Sequence, residues 1–518
     1  MGAQLVTVEK PFDAARSGFE ALISRLGDSE TWKLTHGAVE SVIERDGREI
    51  LRMLFEDHLA LRAQGFQGPS VATADGQVLT HRRFGTRHLM SLFGEVAVTR
   101  VGCHAPERST LFPVDAALNL PSTLYSHGVE RRLASLVGRM SFEAAVAEVE
   151  TSSGAAIPKR QAEEAAARWA VDFDAYYAER VQAELPIAKG ELLVLTVDGK
   201  GIVMRAEDLR EATRRAASTR EHKLQRRLSK GEKRNAKRMA TVSAIYSLSR
   251  EPRGPEDIVR ELRMTEPGQP KPVRPRPEAK RVWASIEKSV ESVIDELFAE
   301  ADRRDPLHQK TWVAVVDGNK TQLRLLRKAA AARGVALTIV LDVIHVIEYL
   351  WKAARVFHEE ASTEGEAWVN ERLLRVLQGK SSDVAAGIRR SATRRGLSAS
   401  ERKPADDCAR YLVKYRAFLR YDQYLAAGFP IASGVIEGAC RHLVKDRMDI
   451  TGARWSLAGA EAVLRLRSLL ASHDFAAYSV FHERRELESN HEVYYADHTP
   501  PALTPPRRPG RPALRIVK

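Results

Sequence analysis

Two short apolar runs, each stopped by Asp-Gly, constrain this chain more than any other feature. Residues 192–197 (LLVLTV) lead into Asp198-Gly199-Lys200-Gly201, and residues 312–316 (WVAVV) lead into Asp317-Gly318-Asn319. Both runs are short and rich in β-branched residues, as strands buried on both faces are. A third run, residues 336–341 (ALTIVL), stops at Asp342. Helical patterns over 283–303 and 323–332 separate the runs, and strands alternating with helices specify an α/β domain. Carboxylates at the ends of neighbouring strands then converge on one edge of the sheet.

With 518 residues the chain exceeds a single core, so several domains are expected. Residues 1–65 carry helical spacing, for example at Val39, Ile43, Ile50 and Leu54. Residues 66–125 read as a small mixed module, with strand alternation over 94–101. Residues 126–188 return to helix. There, segments 141–150 and 158–169 meet at Ser152-Ser153-Gly154, as a helix-turn-helix DNA reader or a plain helical hairpin would, and Lys159 and Arg160 open the second helix. The α/β core spans 189–343. It contains a basic arm over 205–238, strand character resuming over 240–248, and a Pro-rich excursion over 265–280. Residues 344–427 read as a helical insertion, 428–475 as the remainder of the core with a helix carrying Glu437, and 476–518 as a terminal helix and a basic Pro-rich tail. The tail holds Arg508 and Gly510-Arg511-Pro512, which has the form of a minor-groove element or of a simple disordered end.

Charge bears on partners. The 81 Lys and Arg against 68 Asp and Glu leave +13, a balance that favours nucleic acid. Cys103, Cys408 and Cys440 are scattered without C-x-x-C spacing, so neither a disulfide framework nor a zinc module is expected. The N-terminal residues lack a basic start followed by an apolar core, and the most apolar stretch, 335–350, is broken by Asp342, His345 and Glu348. No membrane association is expected, and the natural location is the cytoplasm, on DNA at the nucleoid.

Hard carboxylate oxygens bind Mg²⁺ or Mn²⁺, and a Gly after each Asp lets the backbone turn without crowding an ion. An Asp-Gly after a strand is by itself only a turn former, and Glu437 with Arg441 has the spacing of a surface ion pair. Taken as a set, Asp198, Asp317 and Glu437 suit phosphodiester chemistry, in which two ions about 3.5–4 Å apart serve an in-line displacement. On that reading Asp198 bridges both ions, Asp317 binds one and Glu437 the other.

The longer blocks carry a resemblance. Asp198-Gly199-Lys200-Gly201, KRMATV at 237–242, Val316-Asp317-Gly318, LDVIHVIEYLW at 341–351, IASGVIEGACRHLVKDR at 431–447 and GARW at 452–455 resemble the ISKra group of bacterial insertion-sequence transposases over residues 90–490. The resemblance implies a ribonuclease H-like catalytic domain with its helical insertion between the second Asp and the Glu, and a DDE transposase that cuts and joins DNA. Asp342-x-x-His345 is similar to an acidic-x-x-His signature of related groups. It marks Asp342 and His345 as auxiliary candidates, His345 towards phosphate or metal, unless Asp342 merely caps a helix and His345 packs.

Expected DNA contacts are Lys159, Arg160, Lys200, Arg441, Lys445, Arg447, Arg454, Trp455, Arg508 and Arg511, with Trp455 alternatively a core residue. A transposase must bring two element ends together, so a homodimer or larger oligomer on DNA is expected. A ribonuclease H-like nuclease or junction resolvase, and a non-catalytic repressor or decayed transposase, remain the competing readings.

Overall fold

The computed structural model describes residues 11–180, 189–219, 236–262, 274–450 and 452–505. Much of the basic arm, part of the Pro-rich excursion, and Arg508 and Arg511 lie outside the described residues. The chain divides into two units, Met1–Tyr176 with Phe475–Lys518, and Tyr177–Asp474.

In the first unit, α1 (Asp13–Leu26) and α2 (His36–Ala63) form a helical hairpin. The paired strands β1 (His81–Ser91) and β2 (Gly94–His104) follow. Three helices come next: α3 (His127–Val137), α4 (Phe142–Ser153) and α5 (Lys159–Trp169). Ser126 and Ser141 cap the first two, accepting from Val129 and Ala144 backbone N–H groups at 3.3 and 3.1 Å. Gly154 ends α4 at φ +73°, a conformation that favours glycine. Trp169 is fully buried, and its indole N–H donates to Glu130 at 3.2 Å. The terminal helix Phe475–Asn490 belongs to this unit: the Tyr478 hydroxyl donates to the Trp169 carbonyl at 2.6 Å, and His482 meets Asp172 at 2.7 Å.

The second unit is mixed α/β around a five-stranded sheet. Its strands are β3 (Leu192–Val203), β4 (Lys237–Leu248), β5 (Glu278–Ser285), β6 (Thr311–Val316) and β7 (Leu337–Leu341), in the spatial order β5-β4-β3-β6-β7. β3, β4 and β5 pair antiparallel, whereas β6 and β7 add parallel to β3 and to each other. α6 (Val290–Arg304) precedes β6, and α7 (Lys320–Ala332) joins β6 to β7. Trp283 and Trp312 are fully buried in this sheet, each core side chain of this kind contributing roughly 1.5–3 kcal/mol.

Three local readings need correction. β3 does not stop at Asp198, because its pairing with β4 continues to Val203 opposite Lys237. For the same reason β4 begins at Lys237 rather than at residue 240. The expected helix over 283–303 is a strand followed by a helix: Trp283 lies within β5, paired with Ser243, and α6 starts only after Ser289, whose hydroxyl accepts from the Ser292 N–H at 3.0 Å.

Helices follow β7 as the apolar spacing predicts: α8 (Val343–Ala354), α9 (Thr363–Leu377), α10 (Ser381–Arg394) and α11 (Lys403–Lys414). The chain then reaches α12 (Gly434–Ala439), continues into a π-helical turn (Cys440–Lys445), and ends the unit with α13 (Leu457–Ala471), capped by Ser456.

Candidate active site

Register sets the geometry. Thr196 stands opposite Val315 in the parallel β3–β6 pair, so Asp198 and Asp317, each two residues further on, lie at the same level, Asp317 just past the end of β6 and Asp198 within β3. Val316 stands opposite Leu341 in the β6–β7 pair, which brings Asp342 level with Asp317. Behind each carboxylate lies a fully buried apolar strand segment, which fixes the backbone.

Asp198 is half-buried and both its oxygens are engaged. Its Oδ1 accepts from the Gly199 N–H at 2.6 Å, and its Oδ2 accepts from the Cys440 thiol at 3.3 Å. Asp317 is also half-buried, and its Oδ1 accepts from the Asn319 N–H at 2.9 Å. The next residue, Gly318, holds φ at +92°, and its carbonyl accepts from the Tyr415 hydroxyl at 2.8 Å. Asn319 in turn caps α7, accepting from the Thr321 N–H at 2.9 Å. Glu437 sits on α12, which packs against β3 and β4, and it is exposed.

Asp342 is fully buried and caps α8: its Oδ1 accepts from the Ile344 N–H at 2.8 Å, and its Oδ2 accepts from the Ser433 hydroxyl. With both oxygens committed to holding α8 and the start of α12, Asp342 acts as a structural tie. His345, one turn into α8, is half-buried, and its Nδ1 is buried without a hydrogen-bond partner among the described residues. A buried, unpartnered ring nitrogen beside carboxylates is the kind of group that a ligand satisfies.

Electrostatics ties these groups together. Burial pushes the Asp317 carboxyl above the usual carboxylate range and Asp198 adds to the rise, while the Asn319 N–H and His345 oppose it. Glu437 is also raised, by desolvation first and then by Asp342, Glu348 and Asp198, with His345 opposing. Among the described residues, Asp198, Asp317 and Glu437 form no ion pair. The set is therefore acidic and unneutralised, with hard oxygen donors, and in chemistry it fits a divalent cation. In geometry it stands open, since no group of three or more His, Cys, Asp or Glu among the described residues is arranged to hold a metal ion.

Sequence reasoning missed Cys440, Ser433 and Tyr415 as neighbours of the acidic residues. Cys440 lies three positions after Glu437, on the same short helical segment, and that spacing was the available signal. Tyr415 had none, because its contact with Gly318 spans 97 residues.

Of the expected DNA contacts, Arg441, Lys445 and Arg454 are exposed and Lys200 is half-exposed on β3. Arg441 reaches towards Asp446 at 3.7 Å. Lys159 and Arg160 are exposed at the start of α5, where Arg160 pairs with Glu164 at 3.2 Å. Arg447 departs from the expected DNA contact, and Trp455 takes its alternative place in the core. They are 3% and 7% exposed, the guanidinium lies over the indole at 4.9 Å, and the indole N–H donates to the Met448 carbonyl at 3.0 Å. Desolvation pushes Arg447 down to about 10, so the two side chains pack together in the core and neither is offered to DNA in this fold.

Comparison with protein-family models finds no match. None of the curated proteins matches. Among solved structures, the chain is similar to the Drosophila P element transposase strand transfer complex at 10% identity, covering 76% of this chain and 84% of that one, with a TM-score of 0.22. A likeness of that size is too slight to bear on activity. No helix among the described residues is long and apolar enough to cross a membrane.

Proposed function

We propose that the chain is a DNA transposase of the DDE class, related to the ISKra group, whose second unit cuts and joins DNA with divalent metal. The observation that carries this reading is the level placement of Asp198 and Asp317 on adjacent parallel strands, with Glu437 on a helix packed against the same sheet. Numbered along the unit, the strand order is 3-2-1-4-5, and a run of helices from α8 onward lies between the last strand, β7, and the Glu helix. Both features accord with the ribonuclease H-like domain and helical insertion that the sequence blocks imply.

Asp198, Asp317 and Glu437 would hold the divalent ions. When bound there, Mg²⁺ or Mn²⁺ supplies a nucleophile at neutral pH and neutralises the leaving oxygen. The residues' own task is to orient: the Gly199 and Asn319 N–H groups fix one oxygen of each Asp, holding the Asp317 carboxylate just past the end of β6 and the Asp198 carboxylate within β3 beside it. Water would attack phosphorus at the element end and release the element's 3′-OH, which would then attack a target phosphodiester and displace that target strand's own 3′-oxygen, each an in-line displacement at phosphorus. Half-exposed Lys200 and exposed Arg441, Lys445 and Arg454 would contact phosphates near the site, and Lys159 and Arg160 would do so from the three-helix module. Two copies on paired element ends, in the cytoplasm, complete the reading.

A second reading rests on the open geometry of the carboxylates: a non-catalytic DNA-binding protein derived from a transposase. Nicking of element-end DNA with Mg²⁺ or Mn²⁺ separates the two. The transposase reading expects cutting by the native chain and none by Asp198→Ala, Asp317→Ala or Glu437→Ala, each of which still binds DNA. Native protein that binds but never cuts with either metal would leave the second reading standing.

A further inference from the structure

We propose that Cys440 is a positioning residue for the metal site, its thiol holding Asp198 Oδ2 in the orientation that an ion requires. The inference rests on the proposed function and deepens it. The thiol donates to Oδ2 at 3.3 Å while the Gly199 N–H donates to Oδ1 at 2.6 Å, so the carboxylate is gripped from two sides. Gly199 is a backbone donor that any sequence would supply. Cys440 is a side-chain donor, 242 residues away, brought there by the fold.

Three further observations support the assignment. Cys440 is 5% exposed, so the thiol is held by packing rather than free to swing. It follows Glu437 by three positions, so one short helical segment carries both a proposed ligand and the group that orients another proposed ligand. Finally, the π-helical turn begins at Cys440, and such widened turns recur at functional sites because they redirect side chains from the register an α-helix would impose. Arg467 of α13 secures that turn, its Nε donating to the Leu443 carbonyl at 2.9 Å and its Nη2 to the His442 carbonyl.

Groups that hydrogen-bond to metal-binding carboxylates fix their orientation, and removing one typically costs 10–100-fold in metal affinity or activity. A thiol is a weak donor and a hydroxyl a stronger one, so serine should replace cysteine in this task whereas alanine should not.

The test is direct Mn²⁺ binding to the full chain, read by electron paramagnetic resonance, for native protein, C440A, C440S and D198A, with thermal melting measured alongside. The expected result is weaker Mn²⁺ binding by C440A, by about tenfold or more, near-native binding by C440S, and loss of a bound ion in D198A. Native-like Mn²⁺ binding by C440A overturns the inference and leaves the site reading intact. Equal weakening in C440S and C440A also overturns it, since the loss would then follow from packing rather than from the donor. A native chain that binds no Mn²⁺ overturns the site reading and this inference with it.

Discussion

Gly318 holds φ at +92°, and a Cβ there would lie 3.2 Å from Leu341 Cδ2. An L-residue in this conformation is strained by roughly 1–2 kcal/mol, and the strain falls on the turn that aims Asp317. Gly318→Ala is therefore expected to lower stability by about that amount in urea denaturation and to reduce DNA cutting by more than the stability loss explains. A second residue-scale prediction concerns Glu300. It is 1% exposed and meets Arg281 at 2.7 Å and Arg303 and Arg304 at 2.8 Å each. Desolvation would raise its carboxyl, but the charges of Arg281 and Arg304 and the hydrogen bonds from Arg303 and Arg304 overcome it and hold the group at about 2. Because the folded value is depressed, the stabilisation is present above the ordinary carboxylate range and is lost as pH falls towards about 2. Glu300→Gln leaves guanidinium groups uncompensated in the core, so it should cost about 3–5 kcal/mol near neutral pH. The gap to native should narrow on acidification, as denaturant melts between neutral pH and pH ~3 would read.

At the scale of elements, the π-helical turn draws two of its hydrogen bonds from a single side chain. Arg467 supplies donors to the carbonyls of His442 and Leu443 from a partly desolvated position on α13. Hydrogen bonds from a charged group contribute about 1.5–3 kcal/mol each, so Arg467→Met should lower stability by at least that much and weaken metal binding as C440A does. Unchanged Mn²⁺ affinity in Arg467→Met would show that the turn needs no such support. Much of this architecture was legible in the sequence because its signals are local. The apolar runs before Asp198 and Asp317 and the helical spacing after residue 343 are properties of neighbouring residues. What escaped notice depended on distant partners. β3 runs beyond Asp198 only because Lys237 pairs with Val203, and Trp283 belongs to a strand only because Ser243 lies beside it. Arg447 read as a surface candidate, since nothing local reveals that it lies over Trp455. The return of Phe475–Asn490 to the first unit likewise rests on contacts such as Tyr478 with Trp169, 309 residues apart.

For the whole molecule, the net charge of +13 bears on affinity rather than on the fold. Neutralising about six phosphates would make DNA binding fall roughly 10³-fold between 50 and 200 mM salt. Replacing Arg441 or Lys445 should reduce the slope of log affinity against log salt by about one each, with little dependence on DNA sequence. An unchanged slope in both variants would remove α12 and its π turn from the DNA-contacting surface. The most direct test of the central claim is strand transfer. A labelled duplex of the element end, already carrying a free 3′-OH, is mixed with a supercoiled target plasmid and Mg²⁺, comparing native protein with Glu437→Gln. The account predicts a Mg²⁺-dependent joined product from native protein, and none from Glu437→Gln even though it still binds the duplex. Joining by Glu437→Gln at the native level, or native protein that binds both DNAs yet never joins them with Mg²⁺ or Mn²⁺, would contradict it.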